Sequence, residues 1–254
     1  MISLEQLFSQ KKGGLFMAHM IAGYPTMEGS EKVAEALAKG GADIIELQIP
    51  FSDPMADGPT IAVASEEALK VGTTVAGSIT LLSKVAKMGR PVAVMSYLNP
   101  VYRMGIGKFV ETIAKAGASA LIVPDCPFDS EEGKLILKAC GQHDIYFIPV
   151  VSPGVPKERL ETLAKEARGF VYCTTRQGIT GATSKFSQDL ENFVQDAKKI
   201  FNLPIAVGFG VKSREDVQSL SKFADIVIAG SVFVSSIKES GVGSIEKTIR
   251  ELVT

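Results

Sequence analysis

Two histidines, three cysteines and no surplus of either charge set the first limits on this sequence of 254 residues. His19 and His143 are far apart and fall in no HxH or HxxE spacing, which argues against a His-rich catalytic metal site. Cys126, Cys140 and Cys173 are odd in number, widely spaced and free of any CxxC pattern. They argue against a disulfide frame or structural zinc and for a reducing compartment. With 27 basic and 28 acidic residues the formal charge is −1, so no basic face for nucleic acid is indicated. No apolar run approaches the roughly 20 residues of a membrane span. The opening stretch MISLEQLFSQKKGG lacks the apolar centre of a secretory signal, so the expected location is cytoplasmic. A GxGxxG turn is also missing: the first strand candidate runs into AGYPTMEGS, which disfavours an open dinucleotide-binding sheet.

What is present is a regular alternation. Short β-branched runs at 16–21, 43–49, 92–96, 120–123, 146–150, 170–174, 205–207 and 225–228 read as strands. Between them lie segments with apolar residues at helical spacing, such as SEKVAEALAKGG, FVETIAKAG and LENFVQDAKKI. Lysines fall late in these segments, where they suit the negative end of the helix dipole. LAKGGADIIEL, IAKAGASALIV and LSKFADIVIAG form a weak repeat in which a helix end meets a strand across a very short turn. Alternating strand and helix implies parallel pairing, because parallel neighbours need a crossover. Eight such units, in a chain of the roughly 250 residues the fold typically needs, predict a closed (β/α)₈ TIM barrel. A short extra N-terminal helix and extra helical segments after strands 2 and 8 are expected. No linker is visible, so residues 1–254 are expected to form a single domain.

Two connections on the side where strands end are long, at about 50–73 and 175–187. In a barrel the loops after strands gather on the catalytic face. Into the first of these connections runs GADIIELQIPFSDPMADGPTI, with Glu46 inside the strand and Asp53 and Asp57 beyond it. Strand alternation puts Ile45 and Leu47 on one face and Glu46 and Gln48 on the other. The outward face of a barrel strand packs on helices, so Glu46 is expected to point inward. A buried carboxylate is costly to ionise unless a donor meets it, and a tightly held proton suits a general acid. Glu46 also reads as a structural glutamate held by a tyrosine or a backbone N–H. Asp57 also reads as ordinary Asp-Gly-Pro turn chemistry.

Three glycine-bearing segments, RQGITGA, AVGFGVKS and IAGSVF, follow the sixth, seventh and eighth strand candidates. Glycine lets a backbone approach an anion, and a helix N-terminus favours negative charge. Barrels hold phosphates at this place, with Ser231-Val232-Phe233 here opening a short helix. No lysine stands at a strand end, which disfavours a Schiff-base aldolase. His19 reads as a satisfied core or pocket-wall residue rather than a base. What remains is carboxylate acid–base chemistry on an organic phosphate. A sugar-phosphate epimerase is a competing barrel, against which the PFSDPMADGP loop counts.

ELQIPFSDPMADGPTI, SYLNPVYRMGIGKFV, LIVPDCP, GFVYCTTRQGITGA and GFGVKSREDV, in this order, resemble the blocks of the tryptophan synthase α subunit family. The resemblance spans nearly the whole chain. It implies a lyase that cleaves indole-3-glycerol phosphate to indole and glyceraldehyde 3-phosphate without a cofactor of its own. It also implies a β-subunit partner carrying pyridoxal phosphate, in an α2β2 heterotetramer. By the same resemblance Glu46 is the acid–base residue, giving a proton to the indole C3 and taking one from the C3′ hydroxyl. Asp57 would accept the indole N–H and stabilise the positive charge that develops. Tyr172, Thr180, Met95, Ile122 and Phe209 would contact substrate, and Gly181, Gly210, Gly230 and Ser231 the phosphate. Asp53, Asn99, Pro100 and Asp125 would meet the β subunit. Gln48 departs from the family's glycine and could either hold Glu46 or crowd the site. Tyr24 replaces an acid, and His19 stands at a wall position that is often aromatic. An allosteric α-type subunit with little lyase activity, retained to activate its partner, is the alternative that Gln48 suggests.

Overall fold

The computed structural model describes residues 2–11, 14–174, 188–208 and 210–254. Its strands are β1 (Leu15–Ile21), β2 (Ile44–Gln48), β3 (Val92–Met95), β4 (Ala120–Ile122) and β5 (Tyr146–Ile148). They continue with β6 (Val150–Val151), β7 (Val171–Cys173), β8 (Ile205–Val207) and β9 (Ile226–Ala229). All paired neighbours are parallel, in the order β5-β4-β3-β2-β1-β9-β8-β7-β6. The two ends of that order are consecutive in the chain, parted by Pro149, so the ring closes covalently. Where the sequence suggests one strand over 146–150, the structure has two pieces. Proline has no N–H for the ladder, although the Pro149 carbonyl still accepts from Tyr172 N at 3.0 Å. Counting β5 and β6 as one stave gives the expected eight-stave TIM barrel.

Helices follow the strands as the apolar spacing predicts. Met27–Gly40 starts at Thr26, whose side chain accepts from Gly29 N, and stops at Gly41 in the left-handed region (φ 117°). Thr74, Ser130 and Ser213 cap Val75–Val85, Glu131–Gln142 and Arg214–Leu220 in the same way. The extra helices fall where expected: Leu4–Gln10 before β1, Pro59–Lys70 ahead of Val75–Val85 after β2, and Ser231–Ser240 with Ile245–Val253 after β9. A further one, Leu98–Met104, precedes Ile106–Lys115 after β3 and was not foreseen.

Strand alternation divides the core in two. Ala18, Ile45, Leu47, Val94, Leu121, Val171, Val207 and Val227 face outward and pack in one cluster with helix residues such as Leu37, Leu82, Ile113 and Val194. Inside the barrel, Leu15, Met17, Ile44, Ala93, Ile122, Ile148, Phe170, Ala206 and Ile226 form a second cluster, joined by Leu4 and Leu7 of the first helix. Further along the same inward faces the side chains turn polar: His19 on β1, Glu46 and Gln48 on β2, Tyr172 on β7. That change of chemistry positions the site.

Candidate active site

Glu46 lies directly across from His19 in the β1–β2 register and is 0% exposed. Its Oε2 is 2.9 Å from His19 Nδ1, a hydrogen-bonded contact sealed from solvent, with His19 7% exposed. Its other oxygen, Oε1, has no hydrogen-bond partner among the described residues, and neither has His19 Nε2. Burial is the largest single influence on His19 and pulls its pKa down. The charge and hydrogen bond of Glu46, the charge of Asp57 and the Gln48 amide together outweigh it, so the net shift is upward. His19 is thus a wall residue, as read from the sequence, but not a satisfied one.

Asp57 sits in the connection after β2, just before Gly58, which begins the helix Pro59–Lys70 without a side-chain cap. The Asp57 side chain therefore does not serve the turn as a cap. Gln48 Nε2 donates to its Oδ2 at 2.7 Å. Of the two roles expected for Gln48, holding Glu46 or crowding the site, the geometry gives neither: its amide is fully buried and braces Asp57. Burial raises the Asp57 pKa, opposed by His19, by the Gln48 amide and by the Tyr97 hydroxyl. The connection itself is pinned at three places. Ala56 N donates to Tyr97 OH at 3.1 Å, the rings of Phe51 and Tyr97 stack at 5.2 Å, and Phe51 N donates to Ser65 Oγ at 3.0 Å. Burial, and then the Asp57 charge, push the Tyr97 phenol above its ordinary range.

A cavity of about 300 Å³ joins these groups to the glycine turns. Its wall includes His19, Glu46, Asp57, Met95, Ile122 and Tyr172, and it continues to Gly208, Gly210, Gly230 and Ser231. Gly210 has φ +71°, a conformation L side chains rarely adopt. At Gly230 the reason for glycine is crowding: an added Cβ would lie 2.8 Å from His19 Cδ2. Ser231 opens the helix Ser231–Ser240, which no side chain caps. A helix N-terminus of this kind favours an anion. Of the expected site residues, Thr180, Gly181 and Phe209 lie outside the described residues.

Over residues 5–254 the sequence matches the family model described as tryptophan synthase alpha chain. It is 37% identical over 244 residues to the tryptophan synthase alpha chain of Desulforapulum autotrophicum, covering 96% of each chain. With that of Methanosarcina mazei it shares 40% over 231 residues, covering 91% of this chain and 83% of the relative. A chain of Mycobacterium tuberculosis tryptophan synthase superposes with a TM-score of 0.91 at 34% identity, covering all of this chain and 98% of that one. The chain belongs to the tryptophan synthase alpha chain family. It is a lyase of indole-3-glycerol phosphate.

For a member of this family the groups that the motifs left unassigned are the informative ones. The sequence named Glu46, Asp57, Gly210 and Gly230, which line this cavity, but not the His19–Glu46 and Gln48–Asp57 bonds, nor Lys212 at the cavity wall. Equal depth of His19 and Glu46 on neighbouring inward faces was the available signal. Tyr24 is buried, and its phenol is raised by burial. The four residues expected at the partner face also differ in setting. Asp53 and Asn99 are exposed, Pro100 is half-buried in the helix Leu98–Met104, and Asp125 Oδ1 accepts from Leu98 N at 2.9 Å at that helix's start.

Proposed function

We propose that this chain performs the lyase reaction with Glu46 as proton carrier and Asp57 as electrostatic partner of the indole ring. The observation that carries this reading is the unpartnered Glu46 Oε1, buried in a cavity that reaches Gly210, Gly230 and Ser231. A retro-aldol cleavage needs an electron sink, and protonating the indole at C3 makes one within the substrate. Glu46 supplies that proton, and a proton leaves the C3′ hydroxyl as the carbon–carbon bond breaks. A carboxylate offers about four acceptor positions. Gln48 and Tyr97 therefore leave room on Asp57 for the indole N–H, where its charge steadies the positive ring. Met95, Ile122 and Tyr172 would flank the ring. Gly210, Gly230 and Ser231 would bind the phosphate through backbone N–H groups and a hydroxyl, with Thr180, Gly181 and Phe209 completing the contacts.

The family's naming implies a β-subunit partner. We take the assembly to be a cytoplasmic α2β2 heterotetramer in which pyridoxal phosphate belongs to the β subunit and this chain uses no cofactor. Asp53, Asn99, Pro100 and Asp125 are the proposed contacts. Exposed Met55 (82%) and Tyr102 (67%), on the same two segments as Asp53 and Asn99, suit an apolar part of that face. The test is indole release from indole-3-glycerol phosphate, measured with and without a β subunit. Release in either condition is expected. None in both would contradict the assignment and leave the chain as an activator of its partner.

A further inference from the structure

Glu46 Oε1 and His19 Nε2 are the two open ends of one buried, hydrogen-bonded pair. Both atoms are unpartnered among the described residues, both side chains line the cavity, and the 2.9 Å Nδ1–Oε2 contact joins them. A buried polar atom left without a partner costs free energy of about 1–3 kcal/mol, so two in one pair mark positions that a ligand completes. The His19 ring is held by more than Glu46. Its Cδ2 edge packs so tightly on the turn at Gly230 that a Cβ there would lie 2.8 Å away. The imidazole is therefore wedged between the carboxylate at Nδ1 and the glycine turn at its Cβ–Cγ–Cδ2 edge, which leaves Nε2 as its free nitrogen.

We propose that His19 is a second proton carrier of the reaction: Glu46 gives a proton from Oε1 to the indole C3, and His19 takes the C3′ hydroxyl proton at Nε2. This rests on the function proposed above. The pair starts with two protons, one on Glu46 Oε1 and one on His19 Nδ1 pointing at Oε2. Transfer from Oε1 to C3 leaves a carboxylate and a cationic ring. As the bond between C3 and C3′ breaks, its electron pair returns to the ring and the hydroxyl proton moves to Nε2. The Nδ1 proton then crosses to Oε2, which leaves protons on Oε2 and Nε2, and exchange with water once the products leave returns them to Oε1 and Nδ1. One proton leaves the pair, one enters, and nothing is oxidised. A single carboxylate working alone would have to serve both substrate atoms from one position. Two open ends let each proton move at its own atom, which is what orientation contributes to such steps. Among the described residues, Glu46 from β2, Asp57 from the connection after it, Tyr172 from β7 and Lys212 beyond β8 are the titratable groups around the cavity that His19 faces.

The experiment compares wild type, His19→Phe and His19→Asn for kcat, KM and the pH profile of indole release, and for binding of glycerol 3-phosphate. Asn keeps an amide donor where Nδ1 stands but has nothing at Nε2, and it serves if the Phe variant does not fold. Both variants are expected to lose kcat about tenfold or more, with glycerol 3-phosphate affinity retained and the alkaline limb of the kcat profile moved. Wild-type kcat in the Asn variant would overturn the proposal, making His19 a residue that only orients Glu46. Weakened glycerol 3-phosphate binding with kcat intact would overturn it in favour of a phosphate ligand. Wild-type protein that releases no indole overturns both this and the proposed function, whereas active wild type with equally active variants overturns the role of His19 alone.

Discussion

Gln48 and Asp57 show how one side chain can set the working state of another. A carboxylate half-buried at a cavity wall would hold its proton too readily, and burial does raise the Asp57 pKa. The Gln48 amide, His19 and the Tyr97 hydroxyl oppose that rise and favour a charge at the cavity wall, where the proposed mechanism puts the indole N–H. Asp57→Asn separates function from stability. Between the ordinary aspartate value near 3.8 and its raised value, the native state binds a proton that the unfolded chain releases, so stability falls as pH rises through that interval. Asn removes this loss, and Gln48 can turn its unpartnered Oε1 towards the new amide. The variant should melt at or above the wild-type temperature at neutral pH, while kcat falls about a hundredfold. A lower melting temperature across the pH range, or a rate within a few-fold of wild type, would contradict this account.

At the scale of elements, the sequence is most legible where one local pattern decides. The strand positions follow from β-branched runs, and the helix starts from Thr26, Thr74, Ser130 and Ser213, because caps and alternation act within a few residues. Two features depend on distant partners and were not read. Pro149 splits a stave only because its missing N–H falls on a ladder position. The helix Leu98–Met104 has no side-chain cap of its own, and its first N–H is met by Asp125, 27 residues on. Asp125→Ala should therefore cost about 1 kcal/mol of stability, seen as a lower melting temperature. It should also weaken β-subunit binding, measured by titration, because that helix carries Asn99 and Pro100. Unchanged stability and affinity would separate Asp125 from both roles.

At the scale of the molecule, the barrel interior changes along its axis from an aliphatic plug around Leu4, Leu7, Leu15 and Met17 to a polar layer of His19, Glu46, Gln48 and Tyr172. The plug gives rigidity, and the polar layer can leave Glu46 Oε1 unsatisfied because the surrounding packing holds it. The inward direction of Glu46 was legible from alternation, and its candidacy as a site residue from the motif that follows it. Its hydrogen bond to His19 was not, since register between β1 and β2 is fixed by the closed sheet. The account depends on Glu46 delivering a proton into the cavity. Its most direct test is the turnover of indole-3-glycerol phosphate by Glu46→Gln, which keeps the shape and a hydrogen-bonding atom at each oxygen position but removes the proton carrier. Turnover should fall about a thousandfold or more with glycerol 3-phosphate binding little changed, and a variant that keeps most of the wild-type rate would contradict it.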